Sequence, residues 1–326
     1  MTKLVVFSIC MNEEATIGDV VDRIPSQIDG IDEIAVLVVS DGSTDATAEI
    51  ARTSGATVIE GRHQRRLAHR FSQAIEWCLE QNADVAVNID GDLQFDPADV
   101  PLFVGPIVSG EADFVAADRF TDPVTGERRR PENMPVGKYY ANLLGARIVG
   151  SLSGEQFADV TCGFRGYNRE SMLSLNINSK YTYTQESFQL LAHNRLDIKS
   201  LPVPVTYYEG RKSRVVTSFW QFLSNSALNI LRAFRDFAPL RFFFWLGLIP
   251  FLFGAGSAGF VAIHWLQTGR TSPYTSLGIL GAYLFSLGLI IFVVGLLADM
   301  LGRSTRNQEK ILRELKRVRH DRNVSP

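Results

Sequence analysis

Asp90 and Asp92, separated by one glycine in Val-Asn-Ile-Asp-Gly-Asp-Leu-Gln (residues 87–94), are the side chains whose type and spacing most directly imply chemistry. An apolar run over 85–89 precedes them and reads as a buried strand. In an open α/β sheet the ligand lies beyond the carboxyl ends of the strands, so carboxylates there meet whatever binds. Two carboxylates this close raise one another's pKa unless a cation lies between them. Hard oxygen ligands suit Mg²⁺ or Mn²⁺, and such ions take a diphosphate as a remaining ligand. The pair reads as a metal–diphosphate site, with a polar strand-to-loop turn as the alternative, since Asp-Gly-Asp is common in turns.

The elements that must position this pair follow from periodicity. Residues 3–9, 34–39, 56–59 and 85–89 read as strands. A helix is expected from about Ala15 with Asn12 as its N-cap, and helical spacing also covers 64–80. After the second strand, the run 40–45 (Ser-Asp-Gly-Ser-Thr-Asp) can cap helix amides, while Asp41 could instead accept hydrogen bonds from a nucleotide base or ribose. Alternation of strand and helix is the pattern of a parallel sheet covered on both faces, an α/β fold.

Three motifs in register then become specific: a strand followed by Asn12-Glu13-Glu14, a strand followed by Asp41-Gly42-Ser43-Thr44-Asp45, and a strand ending Asp90-Gly91-Asp92-Leu93-Gln94. Together they resemble the family 2 inverting glycosyltransferases of GT-A fold, and within them the polyprenyl-phosphate glycosyltransferases, such as dolichyl-phosphate mannose synthases and bactoprenol glucosyltransferases. The resemblance implies a GT-A, Rossmann-like domain with a mostly parallel sheet. It implies Asp90 and Asp92 as metal ligands, and Asn12, Glu14, Asp41, Asp90 and Gln94 as nucleotide-sugar contacts. Asp159-Val160-Thr161-Cys162-Gly163-Phe164-Arg165 is similar to the family's Asp-x-Thr-x-Gly-Phe-Arg signature, and Tyr183-Thr184-Gln185-Glu186 to the segment where a glutamate opens a helix near the donor. Asp92, Asp159, Arg119 and Glu186 are therefore the implied catalytic residues. Arg119, Arg165, Arg211, Lys212 and Arg214 are the implied contacts of an acceptor phosphate. Asp159 and Arg165 could also simply brace a loop as an ion pair. The chain departs from the family at Ile9-Cys10-Met11, where an aromatic is usual, and at 61–66 (Gly-Arg-His-Gln-Arg-Arg), where a glycine- and lysine-containing turn is usual.

The 326 residues are 46% hydrophobic, and the excess is concentrated in two runs, 242–266 and 276–298. Each exceeds the ~20 residues a helix needs to cross the hydrocarbon core. Arg232, Arg235 and Arg241 precede the first run, and Arg303, Arg306, Lys310, Arg313, Lys316 and Arg317 follow the second, whereas the loop between carries only Arg270. By the positive-inside bias both long flanks are cytoplasmic. No secretory leader is read at the N-terminus, and three widely spaced cysteines, Cys10, Cys78 and Cys162, fit reduced thiols. The expected domains are a GT-A domain over 1–215 with an interfacial helix at about 136–153, an amphipathic interfacial helix over 216–240, a two-helix membrane unit over 241–301 and a basic cytoplasmic tail over 302–326.

The expected reaction is metal-dependent, inverting transfer of a sugar from a nucleoside diphosphate sugar to a polyprenyl phosphate at the inner membrane, with Mg²⁺ or Mn²⁺ as cofactor. A UDP-sugar is favoured over GDP-mannose, because two spans resemble the bacterial glucosyltransferases. A processive polysaccharide synthase fits less well, since Gln-x-x-Arg-Trp is absent; a non-catalytic nucleotide-sugar-binding membrane protein is the rival from another class. Gly247, Gly254, Gly256, Gly281, Gly288 and Gly295 permit close helix approach, so a homo-oligomer, with a tetramer as the candidate size, is expected. No repeat or nucleic-acid signature is present, and the net charge of −2 excludes no class.

Overall fold

The apolar runs form parallel strands: β1 (Lys3–Cys10), β2 (Glu33–Ser40), β3 (Thr57–Glu60) and β4 (Val85–Asn88). Phe114–Asp118 (β5), Arg165–Asn168 (β6) and Ile198–Pro202 (β7) complete one sheet of order β3-β2-β1-β4-β6-β5-β7. β6 runs antiparallel to both β4 and β5, while β5 and β7 are parallel. The computed structural model describes residues 1–177, 183–208, 234–235 and 238–320. It divides into two compact units, Met1–Lys212 with Leu312–Pro326, and Ser213–Ile311.

Buried almost end to end, β1 is a strand covered on both faces. On one face Leu4, Val6, Val38 and Val87 pack with Ile17 and Val20 of α1 (Ile17–Asp22), Ala51 of α2 (Thr47–Thr53) and Phe103 of α4 (Val100–Val108). On the other, Val5, Phe7 and Ala86 pack with α3 (Leu67–Glu80), α5 (Val136–Ser153), α6 (Arg169–Ser174) and α7 (Thr184–His193). Phe71, Ala74, Ile75 and Cys78 give α3 its buried stripe at helical spacing. The helix begins at Leu67 rather than Gln64, because Arg66 takes a left-handed backbone (φ 72°), which a right-handed helix cannot contain. α1 likewise starts after Thr16, so Asn12 is not its N-cap.

From β1 the chain moves outward through β2 to β3, and α3 then carries it back to β4 on the other side of β1. The carboxyl ends of β1 and β4 therefore flank a topological switch point, where open α/β sheets leave a crevice for ligands. Asp90 and Asp92 follow β4 there.

Amphipathicity is clear in α5: Asn142, Ala146 and Val149 are buried, whereas Val136, Tyr140 and Leu144 are exposed. Residues 312–320, the end of α9 (Thr275–Arg319), belong to the first unit. Glu170 pairs with Arg313 and Arg317, Glu76 pairs with Arg319 and His320, and the Lys316 ammonium donates to the Leu175 carbonyl (2.9 Å).

In the second unit α8 (Pro239–Thr268) and α9 are each long and apolar enough to cross a membrane. Their glycines lie where the two helices approach closely. A Cβ on Gly254 would lie 2.2 Å from the Phe285 nitrogen and one on Gly288 2.7 Å from Phe251 Cβ, and Gly247, Gly281 and Gly295 are as closely faced by the other helix. These glycines are accounted for by packing within the hairpin, which leaves only Gly256 of the six facing open space.

Candidate active site

Asp90 lies half-buried against Gly163, where a Cβ would come 2.5 Å from its Oδ1, so only glycine fits at 163. Gly91 sits as tightly on the buried Cys10 thiol, and its carbonyl accepts from the Thr16 hydroxyl at 2.7 Å. Asp92 accepts from the Gln94 amide through Oδ1 (3.1 Å), and Leu93 between them has φ 56°, a conformation that costs a branched side chain energy. Burial, and then the charge of Asp92, push the Asp90 carboxyl up to about 6, against the opposing pull of Arg119 and Arg165. Glu13, not singled out from the sequence, adds to this negative field.

A divalent cation between the two carboxylates would offset that rise. Hard carboxylate oxygens at this spacing fit Mg²⁺ or Mn²⁺. Among the described residues no three His, Cys, Asp or Glu side chains gather as a metal cage, so the remaining ligands would have to be water or substrate oxygens. Burial pushes the neighbouring Cys10 thiol up to about 12.

The nucleotide-side residues prove to be joined to one another. Asn12 accepts from the Thr44 amide (2.8 Å) and Glu14 from the Ala46 amide (3.0 Å), tying the exit of β1 to that of β2. Asp41 is buried and accepts from the amides of Arg65 (2.7 Å) and Arg66 (3.1 Å) and from Arg70 Nε (2.8 Å). These bonds give Asp41 an internal role in holding the 65–70 segment, beside the contact with a base or ribose expected of it. Gln94 is placed through its backbone, its carbonyl accepting from the Thr206 amide at 2.9 Å.

At the other end Arg119 and Asp159 form a two-pronged pair, Nε to Oδ2 at 2.6 Å and Nη2 to Oδ1 at 3.0 Å. Asp159 is fully buried, and its Oδ1 also accepts from the Thr161 amide and hydroxyl. Burial alone would raise this carboxyl, but Arg119 and Thr161 hold it below the usual range. Arg119 further donates to the Thr161 hydroxyl (2.7 Å) and the Tyr207 hydroxyl (3.0 Å). Lys138, read from the sequence only as a flank of α5, extends its ammonium over the Tyr207 ring, 5.5 Å from the centroid. Burial, then the neighbouring Arg119 charge, lower its pKa. The Asp159 carboxylate opposes that shift.

Two assignments change. Asp159 pairs with Arg119, not with Arg165, and its four hydrogen bonds, three to Oδ1 and one to Oδ2, tie it to Arg119 and Thr161. Arg165 is entirely buried, donating to the carbonyls of Cys162 (2.7 Å) and Val160 (3.1 Å) and to the Ser187 hydroxyl, among the rings of Phe114, Tyr183 and Phe188. An arginine so enclosed cannot reach an acceptor phosphate; it braces the 160–163 loop that carries Gly163. Glu186 sits in the first turn of α7, whose N-cap Tyr183 accepts from Asn88 Nδ2 beneath Asp90. Arg211, Lys212 and Arg214, like most of the interfacial helix expected over 216–240, lie outside the described residues.

Residues 5–174 match Glycosyl transferase family 2, and residues 238–304 match the GtrB C-terminal hairpin. The Haloferax volcanii protein named Glycosyltransferase AglJ is 28% identical over 314 residues, covering 93% of this chain and 95% of its own. A second protein of that organism, named Dolichyl-phosphate hexose transferase, is 32% identical over 194 residues, 59% of this chain and 78% of its own. Among solved structures, glucosyl-3-phosphoglycerate synthase from Mycobacterium tuberculosis, crystallised with Mn²⁺ and UDP, superimposes with a TM-score of 0.53 at 20% identity, over 72% of this chain and 79% of its own, a likeness of fold. The family 2 match spans just over half of the 326 residues and ends within α6, so it takes in the switch point and both carboxylates. On that ground the chain belongs to glycosyl transferase family 2 and is a glycosyltransferase.

Proposed function

We propose that the protein transfers a monosaccharide from a nucleoside diphosphate sugar, a UDP-sugar by preference, to the phosphate of a membrane polyprenol, with inversion at the anomeric carbon. The observation that carries this reading is the condition of Asp159. A sugar-hydroxyl acceptor needs a base to take its proton. The carboxylate beside Arg119 is buried, accepts hydrogen bonds from Arg119 and Thr161, and is held in its ionised form by that arginine, so it is a poor base. An acceptor phosphate is already an anion at neutral pH and needs cations and alignment instead. Arg119, with four of its five N–H donors engaged, and Lys138 supply two cations side by side.

Asp90 and Asp92 are the residues that would hold the divalent ion, which when bound supplies neutralisation of the charge that builds on the departing diphosphate. The chain's own residues do the rest. Arg119 and Lys138 bind and aim the acceptor anion at the anomeric carbon, and attack from the side opposite the diphosphate inverts that centre. The names of relatives such as the Dolichyl-phosphate hexose transferase support the acceptor class. Arginines and lysines flanking α8 and α9 favour a cytoplasmic placement of the catalytic unit.

The test uses the full-length protein in nanodiscs with undecaprenyl phosphate, Mg²⁺ or Mn²⁺, and a panel of UDP- and GDP-sugars, with Asp92→Ala in parallel. Expected is metal-dependent glycolipid from a UDP-sugar, of inverted anomeric configuration by NMR, and none from the variant. Glycolipid formed equally in EDTA, or nucleotide release without glycolipid, overturns the reading.

A further inference from the structure

Beyond β7 the chain crosses the site as an irregular strap, residues 203–208, that touches both ends of it. Val203 donates its amide to the Asp118 carbonyl at the end of β5 (3.1 Å), and Thr206 donates its amide to the Gln94 carbonyl (2.9 Å). The Tyr208 hydroxyl donates to the neighbouring Leu93 carbonyl at 3.1 Å. Tyr207, one residue earlier, reaches elsewhere: its hydroxyl accepts from Arg119 Nη1, and its ring lies beneath the Lys138 ammonium. Its carbonyl accepts from Asn133 Nδ2 at 3.2 Å.

Each contact answers a local physical need. Arg119 and Lys138 repel one another, and the electron-rich face of Tyr207, together with the Asp159 carboxylate, offsets that repulsion. Asp159 fixes the Nε–Nη2 edge of the guanidinium, and the Tyr207 hydroxyl takes one of the two Nη1 hydrogens, which leaves the other as the donor available to an incoming anion. At the donor end Leu93 has the left-handed backbone (φ 56°) that lets the Gln94 amide close onto Asp92. A leucine holds that conformation only where its surroundings impose it. The strap grips the carbonyls of Leu93 and Gln94 in succession, on either side of the bond that would swing if the turn relaxed.

We propose that these adjacent tyrosines are positioning residues with divided tasks, Tyr207 setting the acceptor-phosphate cations Arg119 and Lys138, and Tyr208 setting the turn that presents Asp92 to the donor diphosphate. The inference deepens the proposed function and rests on it for its acceptor half. It also makes the strap a shared support, so that the two substrates meet on one short segment.

The test compares Tyr207→Phe and Tyr208→Phe with the wild type, full-length and in nanodiscs, by initial rates of glycolipid synthesis. Undecaprenyl phosphate, UDP-sugar and Mn²⁺ are varied in turn. Tyr207→Phe is expected to raise the acceptor KM about fivefold, the worth of one ordinary hydrogen bond, with donor KM and Mn²⁺ half-saturation unchanged. Tyr207→Leu, which also removes the ring under Lys138, raises acceptor KM further. Tyr208→Phe is expected to raise Mn²⁺ half-saturation and donor KM by a similar factor and to leave acceptor KM alone. A purely structural role for the strap would move all three parameters together in both variants, and that result, or no shift in either, overturns the inference. Mn²⁺ binding in the presence of UDP, followed by electron paramagnetic resonance, needs no turnover. Tyr208→Phe should weaken it and Tyr207→Phe should not. A wild type that binds Mn²⁺ and UDP but makes no glycolipid from undecaprenyl phosphate overturns the proposed function and the Tyr207 half with it, while the Tyr208 half still stands or falls on the binding data.

Discussion

Replacing Asp90 by asparagine should make the metal-free protein more stable while abolishing transfer. Burial and Asp92 raise the Asp90 carboxyl from 3.8 to about 6, roughly 2 units, and one unit corresponds to about 1.4 kcal/mol. The ionised group thus costs the fold up to about 3 kcal/mol, an upper figure because Asp90 keeps partial contact with solvent. The sign follows from linkage. Below about pH 4 the folded and unfolded chains both hold the proton, and the cost is absent. Between about pH 4 and 6 only the folded chain holds it, so stability falls as pH rises, and above about pH 6 the cost is complete. Asparagine keeps the shape without the charge. Thermal unfolding of the solubilised full-length protein in EDTA at pH 7.5 should place Asp90→Asn above wild type by about 5–10 °C, with the gap closing towards pH 4. Adding Mn²⁺ and UDP should stabilise the wild type and leave the variant unmoved. A variant no more stable than wild type at pH 7.5 in EDTA would refute the reasoning, for it would mean that the carboxylate bears no electrostatic penalty that a cation could relieve.

Three further outcomes are expected. Asp159→Asn should raise acceptor KM about tenfold by slackening Arg119, with the acidic limb of the pH–rate profile intact; loss of that limb would make Asp159 a base instead. Arg165→Met should destabilise the first unit by about 3 kcal/mol or more, since it strands two buried carbonyls and the Ser187 hydroxyl. A melting temperature equal to wild type would contradict that. Glu170→Gln should loosen residues 312–320 by about 1 kcal/mol, seen as faster tryptic cleavage at Arg317, and high salt should do the same to the wild type. Salt-insensitive cleavage would assign the docking of this segment to packing rather than charge.

The parallel half of the sheet was legible in the sequence because each of its strands is an apolar run bounded by turn residues. Its motifs fell at strand ends for the same reason, so Asp90 and Asp92 could be placed at the crevice from the pattern alone. The antiparallel strand β6 was not legible. Arg165-Gly166-Tyr167-Asn168 carries no apolar run or alternation, and it becomes a strand only because β4 and β5 offer open edges on either side. Ion pairing failed for a related reason. Asp159 and Arg165 are six apart and invite pairing, but Arg165 enters β6 and turns into the aromatic cluster, while Asp159 meets an arginine forty residues earlier. Lys138 was invisible as a site residue, since its neighbours Arg119 and Tyr207 lie on distant segments.

The geometry also explains why Arg119 cannot be assigned to one end of the site alone. It neutralises Asp159, is the cation proposed for the acceptor end, and at the same time restrains the rise of Asp90. An anion arriving on Arg119 would draw on the same positive charge that Asp90 depends on. Carboxylates relieved by a divalent ion no longer need that help, whereas bare ones would be strained further. The donor end, once filled, thus frees Arg119 for the acceptor end. Under the proposed function, in which two anionic substrates meet within one crevice, this shared arginine would favour acceptor binding after the metal and diphosphate are in place.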